Sequence, residues 1–169
     1  MISFGWIGGN QNLDLLNNII AALNNISKDF SIELIVISGK KFEADTNFPI
    51  QNFEWKLNTE VELIKQIDIG LMPLKPTAIA KGKCGFKLIQ YMGLGVVSIA
   101  SGITANNDIV DDNENSFLVN DENDWENVIR KCLNRKNDFQ KIGTLAAQKI
   151  AAHYSFEANK KKYLEFISQ

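Results

Sequence analysis

GKCGFKLIQYMGLGVVSIA, residues Gly82 to Ala100, is the stretch whose reading decides the fold. It opens on a turn rich in glycine and lysine and passes into an amphipathic run from Phe86 to Met92. Gly93 and Gly95 then end that run, and Val96 to Ala100 reads as a buried strand. Loop, helix, glycine stop and strand make half of a βαβ unit. A helix that starts straight out of a basic loop points its free N–H groups and its positive dipole end at that loop, which is the construction of an anion site.

The neighbouring segments repeat the grammar. Ile2 to Ile7 is a short apolar strand followed by Gly8-Gly9-Asn10, and a helix from near Asn12 carries Leu16, Ile19, Ile20 and Leu23 on one face. Ser31 to Ile37 is an unbroken apolar strand, as expected where both faces of a sheet are covered. Ile50 to Lys56 is a short strand. Asn58 or Thr59 caps a short helix, with Glu60 and Glu62 in its first turn and Val61, Leu63 and Ile64 turned inward. Asp68 to Leu74 is a fourth strand, and Thr77 to Lys83 is a loop. Beyond Ala100 come a loop from Ser101 to Asp108, a polar surface turn from Asp111 to Asn115 and a last strand, Ser116 to Val119. Three helices follow, marked by Trp125, Val128, Ile129, Cys132 and Leu133, by Phe139, Ile142, Ala146 and Ile150, and by Phe156, Tyr163, Phe166 and Ile167. The expected fold is α/β: a Rossmann-like, doubly wound parallel sheet with helices on both faces. Such sheets bind ligands beyond the C-terminal ends of their strands. That singles out the loops Gly8–Asn10, Lys81–Gly85 and Ser101–Asp108.

Composition narrows the function. A chain of 169 residues with 45% hydrophobic content is one ordinary domain, or half of a larger enzyme. A formal net charge of −2 argues against a general nucleic-acid binder. No apolar run approaches the ~20 residues that span a bilayer, and the N-terminus lacks the features of a signal peptide. Cys84 and Cys132 are too few for a disulfide framework, so free thiols in a reducing cytoplasm are expected.

Each candidate residue has a functional and a plain reading. Gly82, Lys83, Gly85 and Lys87 either let a backbone and two cations meet an anion or form a solvated loop; spacing alone leaves this open. Gln90, about one turn into the helix, either meets a hydroxyl-bearing ligand or lies on the surface, and spacing favours the surface. Trp55 either lines a base or packs, and packing is the better reading. Tyr91, Met92 and Trp125 read as core, Lys160–Lys162 as a solvated helix face. Asp68 and Asp108 sit where either could touch a ligand, Asp108 the better placed. His153, the only histidine, has no catalytic partner in view and reads as structural. The Walker and dinucleotide glycine patterns are both absent. A receiver-type signalling domain would need an acidic cluster at the strand ends, which is not found.

Taken in order, Phe4-Gly5-Trp6-Ile7-Gly8-Gly9, Asp68-Ile69-Gly70-Leu71-Met72-Pro73-Leu74, Gly82 to Met92 and Gly95 to Ser101 resemble the C-terminal domain of group 1 glycosyltransferases, glycosyltransferase family 4, of GT-B fold. Asn115-Ser116-Phe117-Leu118-Val119, Trp125, Ile142-Gly143 and Tyr154-Ser155 agree with its later motifs, so the resemblance spans essentially the whole chain. It implies the donor-binding half of a retaining enzyme that transfers sugar from a nucleotide-diphosphate sugar to a saccharide or lipid-linked acceptor, in surface polysaccharide synthesis. No metal or other cofactor is expected, nor any nucleic-acid partner. It places Gly8, Gly9, Asn10, Lys83, Gly85 and the backbone of Phe86, Lys87 and Leu88 at the diphosphate, Gln90 at the ribose, Trp55 and Lys56 at the base, and Gly82 and Asp108 toward the sugar. It assigns no catalytic residue. It divides the chain into a nucleotide-sugar-binding domain, 1–154, and a C-terminal helix, 155–169, that crosses back to a missing N-terminal GT-B domain or joins a dimer. This half alone is expected to be inactive. The location implied is the cytoplasm, extending to the inner face of the cell membrane by peripheral association of the full-length protein.

The chain departs from the family where its E-x7-E acids would stand, at Gly82 and Gln90, and Val97 stands for its proline. The arginine and lysine that clamp the diphosphate in that family are also not evident after the first strand; Lys83 or Lys87 is the expected substitute. The alternative is a non-catalytic nucleotide-binding or domain-interaction module derived from that family.

Overall fold

The structure, a computed structural model, describes residues 1–168. Its centre is a six-stranded sheet, all parallel, in the order β3-β2-β1-β4-β5-β6. The strands are β1 Ile2–Ile7, β2 Ile32–Ser38, β3 Ile50–Glu54, β4 Ile69–Met72, β5 Val97–Ser101 and β6 Phe117–Val119. The order reverses between β1 and β4, and that switch point opens a crevice above the strand ends. The expected doubly wound fold is the observed one.

The helices are α1 Asn17–Ile26, α2 Glu60–Ile64, α3 Ala78–Lys81, α4 Phe86–Gly93, α5 Ala105–Ile109, α6 Trp125–Asn134, α7 Phe139–His153 and α8 Phe156–Ile167. Alternation along the strands divides the core into two layers. Phe4 and Trp6 of β1, with Leu34 and Val36 of β2, face α1 and α6. Ile7, Ile35 and Ile37 face the opposite side, where Tyr91 and Ile64 meet them. Leu88 and Met92 of α4 pack there with Ala146 and Ile150 of α7. Trp125 is buried on the α6 stripe, as expected.

Several local expectations change. The first crossover opens with a 3-10 turn, Asn10–Leu16, before the α-helix starts at Asn17. Asp68 lies outside β4, where its carboxylate accepts the Ser3 N–H at 2.9 Å. The segment expected as a loop from Thr77 holds the single turn α3, because Thr77 Oγ1 accepts the Ala80 N–H at 3.2 Å and starts it. The loop after β5 likewise contains α5. Val61 is exposed rather than buried; Ile64 is the buried residue of this short helix, and Leu63 packs partly buried against the same core. Asn115 is buried, its amide oxygen accepting the Asp111 N–H at 3.0 Å. Gly93 is still helical. The stop is made by Gly95 at φ +75°, whose N–H bonds the Met92 carbonyl while Val96 N–H bonds Tyr91 O, the Schellman pattern.

The last element, α8, begins at Ser155, whose Oγ accepts the Ala158 N–H at 3.1 Å. It buries none of its residues, and Phe156, Tyr163, Leu164, Phe166 and Ile167 are all exposed. Gln169, the end of the segment read as 155–169, lies outside the described residues. No helix among the described residues is long and apolar enough to cross a membrane.

Candidate functional site

The ends of β1 to β4 open into a cleft of about 760 Å³. Ile7, Met72 and Leu74 form its floor, Gly8–Asn12 one wall, and Gly82–Lys87 with Gln90 the facing wall. Glu54, Trp55 and Glu60 close the third side.

The Gly8–Asn10 turn is held by the end of β2. Gly8 N–H donates to the Ile37 carbonyl at 3.1 Å, and Ser38 Oγ lies 2.9 Å from Gly8 O and 3.2 Å from Asn10 Oδ1. The strand entering this turn is pinned from the other side, where Ile7 N–H donates to the buried Tyr91 hydroxyl at 2.9 Å. Burial pushes the Tyr91 phenol well above its ordinary range, against the pull of that bond, so it stays protonated. Tyr91→Phe strands the Ile7 N–H without an acceptor, at about 1–3 kcal/mol. The melting temperature is expected to fall by about 5 °C. An unchanged melting curve would show that water satisfies the amide instead.

The facing wall is built on α4. Gly85 caps it in the left-handed region, φ +72°, and a Cβ there would run into the Ile109 side chain. The first-turn N–H groups of Phe86 and Lys87 have no intrahelical acceptor and open on the cleft. Leu88 differs from expectation: its N–H already donates to Gly85 O at 2.9 Å and its side chain is core.

Lys87 is the electrostatic centre. Its Nζ lies 4.2 Å from the centroid of the fully buried Trp6 ring, a cation–π contact. Gly8 makes room for it, since a Cβ at Gly8 would stand 2.6 Å from the Trp6 ring and 3.0 Å from Lys87 Nζ. No carboxylate pairs with Lys87 among the described residues. Burial, then repulsion from Lys83, lowers its pKa to about 7. Lys83 Nζ donates to Asn12 Oδ1 at 2.8 Å and bridges the two walls. Two lysine amines and two free N–H groups thus meet here, and Lys87 has no carboxylate partner among the described residues.

At the third side, Trp55 is 46% exposed and donates its indole N–H to Glu60 Oε2, while the Gln90 side-chain amide donates to Glu60 Oε1. The plain readings of Trp55 as packed and Gln90 as surface therefore give way to cleft positions. Gly82 also lines the cleft, and a Cβ on it would meet only Ile79 O, at 3.7 Å, so packing does not exclude a side chain there.

Of the residues singled out in the sequence, Gly8, Gly9, Asn10, Trp55, Gly82, Lys83, Gly85, Phe86, Lys87 and Gln90 line one cleft. Lys56 does not; it turns away to pair with Glu54 at 2.9 Å. Asp108 is exposed on α5, apart from the cleft, as is the loop after β5 that carries it. His153 is exposed at the end of α7 and outside the cleft. Sequence reasoning missed Asn12, Glu54 and Glu60. Only Glu60 left a signal, a carboxylate at a helix start five residues after an aromatic at a strand end.

The sequence model of the family described as "Glycosyl transferases group 1" matches residues 2–135. No curated protein matches the chain by sequence. Sucrose-phosphate synthase from Thermosynechococcus elongatus superposes with a TM-score of 0.76 at 14% identity, over 99% of this chain and 45% of its own. Anabaena Alr3699/HepE, solved in complex with UDP-glucose, gives 0.80 at 12% identity, over 99% and 48%. The C-terminal domain of the group 1 family protein LpcC from Francisella tularensis gives 0.71 at 17%, over 91% and 86%. At these identities the likeness is one of fold. The chain spans about half the length of the two larger proteins.

Proposed function

The chain belongs to the group 1 glycosyl transferases, and from that premise we propose that it is the donor-binding half of a retaining enzyme that uses a nucleotide-diphosphate sugar. The observation that carries the reading is Lys87, a half-buried amine with no carboxylate partner, set beside the free N–H groups that open α4. A protein keeps an unpaired buried cation at a cost, and a diphosphate is the anion that fits two lysines and a helix start. Gly8–Asn10 and Gly85 let the phosphates approach the backbone. Gln90 lies at the ribose and Trp55 at the base; Gly82 leaves the sugar side open. Departure of the diphosphate is stabilised by these N–H groups and lysines, the part a metal ion plays in other transferases.

The remaining half of the enzyme supplies the acceptor site, for a saccharide or lipid-linked acceptor in surface polysaccharide synthesis at the cytoplasmic face of the membrane. The exposed apolar side chains of α8 pack against that half. A non-catalytic relative is the second reading, favoured by the absence of an acid at Gly82. Sugar transfer by the full-length protein separates the two.

Cys84 provides a direct test of the cleft. It is exposed in the wall beside Lys83, whereas Cys132 is buried in α6, where burial pushes its thiol well above the ordinary range. Iodoacetamide should label Cys84 alone, and millimolar UDP, GDP or their sugar esters should slow the labelling about tenfold. Calorimetry on the same mixtures gives the affinity. No heat and no protection with any nucleotide would overturn the reading.

A further inference from the structure

The cleft holds a carboxylate on an element separate from both of its glycine-rich walls. Glu60 opens α2, and both of its oxygens are engaged: Oε2 accepts the Trp55 indole N–H and Oε1 accepts the Gln90 amide. Glu54, the other acid of the cleft, is paired with Lys56, whereas Glu60 has no cationic partner among the described residues. A carboxylate has about four acceptor positions, so each Glu60 oxygen keeps one for a further donor. Its two neighbours hold it at the cleft wall instead of leaving it to swing in water.

The order of groups along the cleft says which donor it meets. Lys87 and the start of α4 define the phosphate end. Gln90 is three residues further along the same helix, about 4.5 Å down the axis. Trp55 lies beyond it, across Glu60. In a nucleoside diphosphate the ribose stands between the phosphates and the base, and its 2′- and 3′-hydroxyls are a vicinal pair of donors. We propose that Glu60 is the ribose-recognising residue of this cleft, accepting hydrogen bonds from that diol, with Gln90 and Trp55 as its positioning residues. This rests on reading the cleft as a nucleotide-sugar site. It reassigns the ribose contact from Gln90, a neutral amide, to a charged acceptor brought in by a different element, so the chain keeps a carboxylate although its α4 helix carries none.

The test is a ratio of affinities measured by calorimetry on the 169-residue chain, for UDP against 2′-deoxy-UDP and for GDP against 2′-deoxy-GDP. The wild-type chain should prefer the ribonucleotide by about 10- to 100-fold, the value of a hydrogen bond to a charged group. Glu60→Gln should lose that preference by weakening the ribonucleotide and leaving the deoxynucleotide unchanged. Gln90→Met should lose it in part. Because both ligands are titrated into the same protein, partial unfolding of a variant cancels in the ratio. A Glu60→Gln chain that keeps the wild-type preference overturns the proposal, as does one that weakens both ligands equally, which would place the carboxylate at the base. A wild-type chain that binds and protects Cys84 yet shows no preference overturns this proposal alone. A wild-type chain that binds no nucleotide removes the parent reading and this one with it.

Discussion

Lys87→Met is expected to weaken nucleotide binding about 30- to 100-fold and at the same time to raise the melting temperature. The two effects have one cause. Lys87 is held over the Trp6 ring, short of water and short of a counter-ion, with Lys83 repelling it. Methionine matches its length, packs on the same ring and brings no charge. The gain is on the order of 2 kcal/mol, the part of the burial cost that the cation–π contact leaves uncompensated, or about 5 °C in a domain of this size. Activity and stability are therefore opposed at this residue, as at many functional sites. Calorimetry and thermal melting of one pair of proteins read both effects. A Met variant that melts lower than the wild type at pH 6 would mean that the ammonium stabilises the empty cleft.

The same shift fixes the sign of the pH dependence. Below about pH 7 the amine is charged in the folded and the unfolded chain alike, and the cost of burying it is fully present. Between about pH 7 and its ordinary value of 10.5 the folded chain has released a proton that the unfolded chain retains, so the wild type gains stability as pH rises. The advantage of the Met variant is then largest at pH 6 and fades toward pH 10. Binding runs the other way. A diphosphate beside Lys87 restores its proton, so binding at pH 8 takes up protons, and affinity for a nucleotide-sugar falls above neutrality.

How far the sequence discloses such a site depends on how locally it is built. The two facing walls of the cleft are local: Gly82 to Gln90 sits in one segment, and the glycine turn after β1 has its own signal, so both are legible as strand-end loops of a parallel sheet. What makes Lys87 unusual is not local. It takes Trp6, more than eighty positions earlier, to place a ring beneath it. Glu60 was legible only as an acid favouring a helix start, because its ties to Trp55 and Gln90 depend on where a five-residue helix is set down. Lys56 and Asp108 show the converse. Lys56 follows Trp55 in the chain but turns to Glu54, and Asp108, read from its place at the end of a strand-end loop, sits exposed on α5 outside the cleft.

Gly143→Ala is expected to destabilise the chain by about 3 kcal/mol, although an exchange to alanine inside a helix ordinarily gains about 1 kcal/mol. Gly143 lies about one turn into α7, where it faces the turn that ends α4. A Cβ added there falls well inside contact distance of the Gly95 carbonyl oxygen and 3.0 Å from Gly95 C. Both are backbone atoms, and Gly95 is fixed by its left-handed φ and by the paired Schellman bonds that lead into β5. No side chain is available to swing aside, so the helices must part, and α4 with them. Gly93, two residues earlier in the same interface, is the control: a Cβ there meets only Ile150 Cγ2, at 3.4 Å, so Gly93→Ala should be neutral or slightly stabilising. Thermal melting of the two single variants, read against each other, should show a fall of about 10 °C for the first and none for the second. Equal behaviour would mean that α7 slides to accept the methyl and that the glycine-to-carbonyl contact does not set the spacing of the two helices.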